Sequence, residues 1–369
     1  MNIKITEQAQ RQNLGIEAAP HLHARMNTRS IMLLTAAALL PAFGCMLFFS
    51  GFGLLWQLLI TLTTAAVCEA SVAFLRGQKI IRALTDGSMI VTCLILTMSL
   101  PQLLPWYLSC AATLFSFLLV KAAFGGLGMN IFNPAMAGFI FLFVSAPNFM
   151  FETWVSPHPQ ALSVIDAQSS FDVIFNNDNP TMLRDKLKQI SAPRPDAFSG
   201  ATWLDSVKTA RKAGGHIQTD AVDFSSEHYE GYAALALAVA LGGIVLMILR
   251  IVFIRMVLSF FIAIIIFSWC FHYLWPDLFL PPLHQLLFGG TVLAGFFIIT
   301  DPVTNAGTAR GRIVFAVLTA FLIVLIRALG SYSDAVAFSV LLANAAAPLI
   351  DVLTKRRHFG VNYKKGSLD

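Results

Sequence analysis

Charge is scarce in this chain: Asp, Glu, Lys and Arg together make up 12% of its 369 residues, about half the share usual for a soluble domain. Cysteine is scarce too. The five that occur, Cys45, Cys68, Cys93, Cys110 and Cys270, all lie in apolar runs, with no C-x-x-C pair and no ligand-spaced histidine beside them. That excludes a disulfide framework and a cysteine-ligated cluster held by this chain alone. G-x-S-x-G and a complete Rossmann fingerprint are also missing, so hydride chemistry with NAD of the soluble type is not encoded. "FGGLG" at 124–128 has no strand before it, and His21 and His23 have no third ligand nearby. No metal site and no catalytic side chain is assigned.

What the chain has in abundance is apolar surface: 57% hydrophobic residues and a mean hydropathy of +0.71. It reads as an all-α polytopic membrane protein. Ten apolar runs are long enough to cross the hydrocarbon core as helices, at 30–49, 52–75, 88–104, 106–122, 131–147, 231–250, 256–274, 284–300, 313–330 and 334–353. The first run has no small-residue cleavage site at its end and is expected to be retained. A formal charge of +5 could favour nucleic acid, but the basic residues follow membrane topology instead. With the N-terminus in the cytoplasm, Arg25, Arg29, Arg76, Lys79, Arg82, Lys121, Arg250, Arg255, Arg310, Arg312 and the tail Lys355, Arg356 and Arg357 fall inside. The short outer loops near 50, 105, 278 and 332 carry no Lys or Arg, with Arg327 in the outer end of helix nine as the exception.

The chain also echoes itself. "GSMIVTCLILTMSLP" and "GGTVLAGFFIITDP" both run from a small-residue start to a proline, Pro101 and Pro302. "LVKAAFGGLGMNIFNPAMAGFI" is echoed by "LIRALGSYSDAVAFSVLLANAAAPLI", which aligns Lys121 with Arg327 and sets Asn133-Pro134 near Asn344 and Pro348. Five helices per half is an odd number, so the halves are expected to be two inverted five-helix repeats, an arrangement that gathers polar sites and broken helices at the interface. The expected organisation is a cytoplasmic segment 1–29, a first membrane repeat 30–147, a periplasmic loop 148–230, a second repeat 231–353 and a basic cytoplasmic tail 354–369.

Within the loop, "NPTMLRDKLKQI" and "TWLDSVKTARKAGG" each predict a short helix, the second with Thr202 as N-cap, Asp205 as capping-box partner and Gly214 as stop. A threonine there ordinarily satisfies a free backbone N–H. A helix N-terminus also favours phosphate, and Gly200 and Ala201 leave the hydroxyl open. "DAFSGATW" at 196–203 resembles the S-G-A-T flavinylation motif of the Rnf electron-transport complex D subunit and of the homologous B subunit of the sodium-translocating NADH:quinone oxidoreductase. "NIFNPAMAGFIFLF", "FFIITDPVTNAGTARGR", "YSDAVAFSVLLANAAAPLID" and "APHLHARMNTRSIMLL" are similar to the same families, so the resemblance spans the chain from about residue 19.

The resemblance implies FMN ester-linked through its phosphate to Thr202 by a dedicated flavin transferase, with Ser199, Gly200 and Ala201 completing the motif. It implies a second, non-covalent flavin such as riboflavin in the membrane part. Implied partners are the other Rnf subunits, among them a periplasmic FMN-bearing subunit and iron–sulfur subunits. The implied function is electron relay between ferredoxin and NAD couples, linked to sodium or proton movement, at a bacterial inner membrane.

The remaining candidates each carry a plainer reading. Asn130 and Asn133 open helix five, either as caps or as amides holding a polar ligand. Trp203 could shield a flavin ring or simply pack on the membrane surface. Glu69, Asp301 and Asp351 are ion-path candidates because ionisable groups in membrane segments are functional candidates by default; capping, snorkelling or pairing explains them as well. The rival function from another class is a secondary transporter or channel of inverted-repeat fold without a redox cofactor; a third is a scaffold for other redox subunits with Thr202 unmodified.

Overall fold

The computed structural model describes residues 26–126, 128–176, 180, 182, 204, 227–330 and 334–355, and all regular structure among them is helical. In chain order the apolar helices are α1 (Thr28–Ser50), α2 (Gly53–Leu75), α3 (Ser88–Ser99), α4 (Trp106–Leu114, prolonged by a π-helical Phe115–Ala122), α5 (Pro134–Ser145), α6 (Glu227–Ile248), α7 (Ile254–Leu274), α8 (Thr291–Leu293, prolonged by a π-helical Ala294–Ile298), α9 (Ala309–Leu329) and α10 (Val336–Thr354). Six of them, α1, α2, α6, α7, α9 and α10, are long and apolar enough to cross a membrane, and α3, α4 and α5 are shorter apolar helices. The chain is a multi-pass membrane protein.

These helices are apolar on all sides rather than along one stripe, the pattern of segments solvated by lipid or buried. Large side chains such as Leu59, Val67, Ile248, Ile262 and Trp269 point outward, whereas Gln57, Thr61, Thr97, Ser109, Thr113, Thr319 and Asn344 are buried. Without water to compete, polar side chains serve as links between helices. Gln57 Nε2 donates to the Leu104 carbonyl at 2.6 Å, Ser109 donates to Gln57 Oε1, and Thr61 and Thr97 pair at 3.0 Å.

Two segments depart from the continuous helices expected at 88–104 and 284–300. Helix α3 stops at Ser99 because Leu100, preceding Pro101, is extended (ψ 153°), as the proline ring demands of its neighbour. The eighth segment is broken: a short helix Pro282–Leu287 ends before Gly289 and Gly290, both left-handed at φ 64° and 68°, and only then does α8 begin.

Helices α1 and α6 touch backbone to backbone, where a Cβ on Gly242 would fall 2.1 Å from the Ala38 carbonyl oxygen. Gly242→Val is therefore expected to force them apart and destabilise the protein by at least about 1–3 kcal/mol, seen as a lowered thermal midpoint in detergent.

The described part of the long loop sits over the α1–α2 turn. Phe52 N–H donates to the Ile165 carbonyl at 2.9 Å and His158 N–H to the Phe49 carbonyl at 2.8 Å; Trp56 Nε1 donates to Ala167 O at 3.0 Å. Residues Ser199, Gly200, Ala201, Thr202 and Trp203, the two expected loop helices apart from isolated positions, His21 and His23, and the terminal segments lie largely or wholly outside the described residues.

Candidate functional site: two cavities at opposite ends of the bundle

Two cavities flank the middle of the bundle. They lie at opposite ends of the same helices, since Ser88 and Met32 line one while Ser99, Met98 and Met46 line the other. The first, of about 140 Å³, is walled by α1, α3, the start of α5, the end of α6 and the end of α8, and Asn130 and Asn133 both line it; we call it the amide cavity. The second, of about 160 Å³, is lined by Met46, Met98, Met136 and Met150 together with Phe139, Phe143, Trp154 and Tyr232; we call it the methionine cavity.

In the amide cavity Asn133 is both cap and wall. Its Oδ1 accepts from Ala135 N at 3.1 Å and Met136 N at 3.3 Å, with Pro134 in the first turn where its missing N–H costs nothing. Asn130 Nδ2 bonds the Phe132 carbonyl at 3.1 Å. Asn133 N–H donates to Asn344 Oδ1 at 3.1 Å, and Asn344 Nδ2 donates to Thr304 O at 2.9 Å. One buried amide on α10 thus ties the start of α5 to the loop after α8. Asn344→Leu orphans both groups and is expected to cost about 2–4 kcal/mol, with a matching fall in thermal midpoint.

Lys121, at the end of the π segment of α4, also lines this cavity. Its Nζ lies 2.5 Å from Glu69 Oε1 and 2.8 Å from Ser88 Oγ. Asp301 lines the cavity as well, with its carboxylate turned to its own turn, accepting from Val303 N at 3.3 Å and Thr304 Oγ1 at 2.9 Å. Asp351 does not line this cavity and accepts from Gly307 N at 2.8 Å and Thr308 N at 3.0 Å, anchoring the N-terminus of α9 where a negative charge is favoured.

Behind Gly289 in the wall of the methionine cavity stands a second buried cation. Arg327 is buried, and its NH1 donates to Gln285 O and Oε1, both at 2.8 Å. Its NH2 reaches Phe288 O at 2.9 Å, Gly289 O at 3.0 Å and Thr291 Oγ1 at 2.8 Å. Gly289, which lines the cavity, has no side chain because the guanidinium and Leu204 stand where one would go. Leu204 is itself buried against Leu280 and Phe288. Lys121 with Ser88 behind left-handed Gly87, and Arg327 with Thr291 behind left-handed Gly290, are the same local device used at two ends.

A family model described as the NQR2, RnfD, RnfE family matches residues 15–360. The chain belongs to that family. It is similar to proteins named as the D subunit of an ion-translocating oxidoreductase complex. One from Tolumonas auensis is 36% identical over 351 residues, covering 94% of this chain and 99% of that one. One from Sodalis glossinidius is 39% identical over 349 residues, covering 94% and 98%, and one from Escherichia coli O127:H6 is 36% identical over 360 residues, covering 95% and 99%.

The NQR2, RnfD, RnfE match takes in α1 to α10 and therefore both cavities. Of the residues singled out in this family member by sequence, Asn130, Asn133 and Asp301 meet at one cavity, and Glu69 stands one ion pair away from it through Lys121. Asp351 stands apart. From sequence, Lys121 and Arg327 stand out only as topology markers and as an echo of one another. That echo was the available signal, since a cation in a membrane segment points to a polar site.

Proposed function

We propose that this chain is the D subunit of an Rnf-type ion-translocating oxidoreductase complex and carries electrons through FMN esterified to Thr202. The observation that carries the reading is Leu204. Two residues beyond Thr202 in sequence, it is buried in the wall of the methionine cavity, a sulfur- and aromatic-lined recess suited to a flat ring. Ser199, Gly200 and Ala201 complete the S-G-A-T motif, and Trp203 follows it.

The lining of the amide cavity supports a second, non-covalent flavin such as riboflavin. Asn130, Asn133, Thr300 and Lys121 offer polar groups for a heterocycle's edge, and Ile31, Met32, Ile95 and Phe297 offer apolar faces. Bound flavin supplies the one- and two-electron chemistry; the chain orients it and sets its electrostatic surroundings.

In this reading ten crossings form two inverted halves, supported by the repeated pairs Lys121/Ser88 and Arg327/Thr291 and by the meeting of Asn133 with Asn344. The termini and the amide cavity are cytoplasmic, and the long loop and methionine cavity are periplasmic, at the inner membrane. The complex passes electrons between ferredoxin and NAD couples and moves sodium ions or protons, with Glu69, Asp301 and Asp351 as ion-path candidates. Its partners are a periplasmic FMN-bearing subunit, iron–sulfur subunits and the flavin transferase. The test is a denaturing gel of the full chain co-produced with that transferase: ultraviolet fluorescence in its band is expected, and its absence there would sink the proposal.

A further inference from the structure

Helix α6 ends at a position where glycine is usual and arginine is found. The N–H of Arg250 donates to the Met247 carbonyl and that of Ile251 to the Leu246 carbonyl, both at 3.0 Å, the paired bonds that close a helix through a left-handed residue. That residue is Arg250, at φ 57°, while every other positive φ among the described residues belongs to a glycine. A side chain in this region strains the backbone, and an observed outlier of this kind is a pointer to function. Three more arginines belong to the same end of the bundle. Arg255, in the first turn of α7, and Arg310, in the first turn of α9, are both exposed. The Cζ of Arg312 stands 3.7 Å from the centroid of the Phe253 ring, which sets the start of α9 against the α6–α7 turn. Its Nε donates to the Ala306 carbonyl at 3.1 Å, and its two terminal nitrogens make no hydrogen bond among the described residues. No carboxylate of the described residues pairs with any of the four arginines, the salt bridges there being those of Lys121. Asp351, whose field reaches Arg312, is taken up by Gly307 N and Thr308 N.

Around these charges the surface is apolar: Ile248, Leu249, Phe253, Ile254, Leu258 and Val314 are all exposed. A free phosphate or an acidic peptide would need the arginines alone, whereas a phospholipid needs a cationic anchor for its headgroup and an apolar wall for its chains. Both stand at one turn between membrane helices, where clustered basic residues hold anionic headgroups. Arginine suits the task because its planar fork donates two parallel bonds to a phosphate. We propose that the α6–α7 turn and the start of α9 hold an anionic phospholipid. Arg250, Arg255 and Arg312 donate to its phosphate, Arg310 adds to the field that attracts it, and its chains lie along Ile254, Leu258 and Val314. Ile251 and Val252 of the same turn line the amide cavity. The bound lipid therefore braces one wall of that cavity from outside, whatever the cavity holds.

The test uses the full-length chain, stripped of lipid in a neutral detergent and titrated with phosphatidylglycerol or phosphatidylcholine of the same chain length. Bound lipid is counted by native mass spectrometry, and the thermal midpoint is read in parallel. Phosphatidylglycerol is expected to bind and raise the midpoint, and phosphatidylcholine to do neither. Arg250→Gly separates a binding role from a folding one. Glycine relieves the left-handed backbone, so the lipid-free midpoint should hold or rise while the affinity for phosphatidylglycerol falls roughly fivefold. Arg312→Gln should weaken binding by a similar factor, and the two substitutions together by roughly twenty-five-fold. A lipid-free midpoint lowered by Arg250→Gly would give that arginine a role in the fold and overturn its assignment. Equal binding of the two lipids, or undiminished phosphatidylglycerol binding by the chain with both substitutions, would overturn the site. So would inorganic phosphate or polyglutamate that stabilises the chain as well as phosphatidylglycerol does, the first pointing to a free anion and the second to an acidic protein partner.

Discussion

Thr202→Ala is expected to abolish ultraviolet fluorescence from the denatured band completely, at unchanged protein yield. The reasoning is covalent. A phosphoester needs the threonine Oγ, alanine has none, and denaturation strips any flavin not held by a bond. Fold loss is a poor alternative explanation. As the N-cap expected from sequence, Thr202 contributes only about 1 kcal/mol of local stability, small beside the apolar packing of ten helices. Thr202→Ser keeps an oxygen that can be esterified and cap the helix, so fluorescence returning with serine would tie the effect to the hydroxyl. Fluorescence that survived Thr202→Ala would put the attachment elsewhere.

The second large effect is expected at Arg327. Placing an arginine in a membrane helix costs about 2.5–3.5 kcal/mol at its centre, and less in the last turn, where Arg327 stands. Against this stand five hydrogen bonds from NH1 and NH2 to Gln285, Phe288, Gly289 and Thr291, each worth about 1.5–3 kcal/mol when one partner is charged. The bonds win. Arg327→Met should therefore lower stability by about 3–5 kcal/mol, because Gln285 Oε1 and the Gly289 carbonyl would lose the guanidinium as donor and the one Thr291 hydroxyl proton would be left to serve both the Gln285 and the Phe288 carbonyls. Arg327→Lys keeps the charge but cannot reach both sets of acceptors with one ammonium, and should fall between. Thermal unfolding in detergent, read by the loss of the monodisperse chromatographic peak, measures all three proteins. An unchanged midpoint in Arg327→Met would show that the guanidinium is not what holds the eighth segment.

How much of this was legible beforehand depended on the range of the cause. Apolar runs announce membrane helices because the requirement is local, and α1, α2, α6, α7, α9 and α10 lie within a few residues of their expected positions. The breaks at Leu100-Pro101 and Gly289-Gly290 escaped a reading by hydropathy, since both sites are apolar or small and a window of twenty residues averages over a turn made by three. Their residue types did carry the signal: a proline restrains its predecessor, and paired glycines admit positive φ. Asn133 and Asn130 were recognisable as a helix opening. The meeting of Asn133 with Asn344, 211 positions away, was readable only through the echo of Asn-Pro by Asn344 and Pro348. The pairing of Lys121 with Glu69, 52 positions apart, left no trace in either local sequence, because each looks like an ordinary inner-face charge.

Helix α3 reaches from the wall of one cavity to the wall of the other, Ser88 to Ser99. At 1.5 Å per residue that is about 17 Å, little more than half of a hydrocarbon core of about 30 Å. A membrane potential falls mainly across the insulating layer, so recesses on both sides concentrate it over this shortened path. Each charge passing between the cavities would then exchange nearly the full electrical work, about 2.3 kcal/mol per 100 mV, over the length of one short helix, and a small displacement there would carry a steep dependence on voltage.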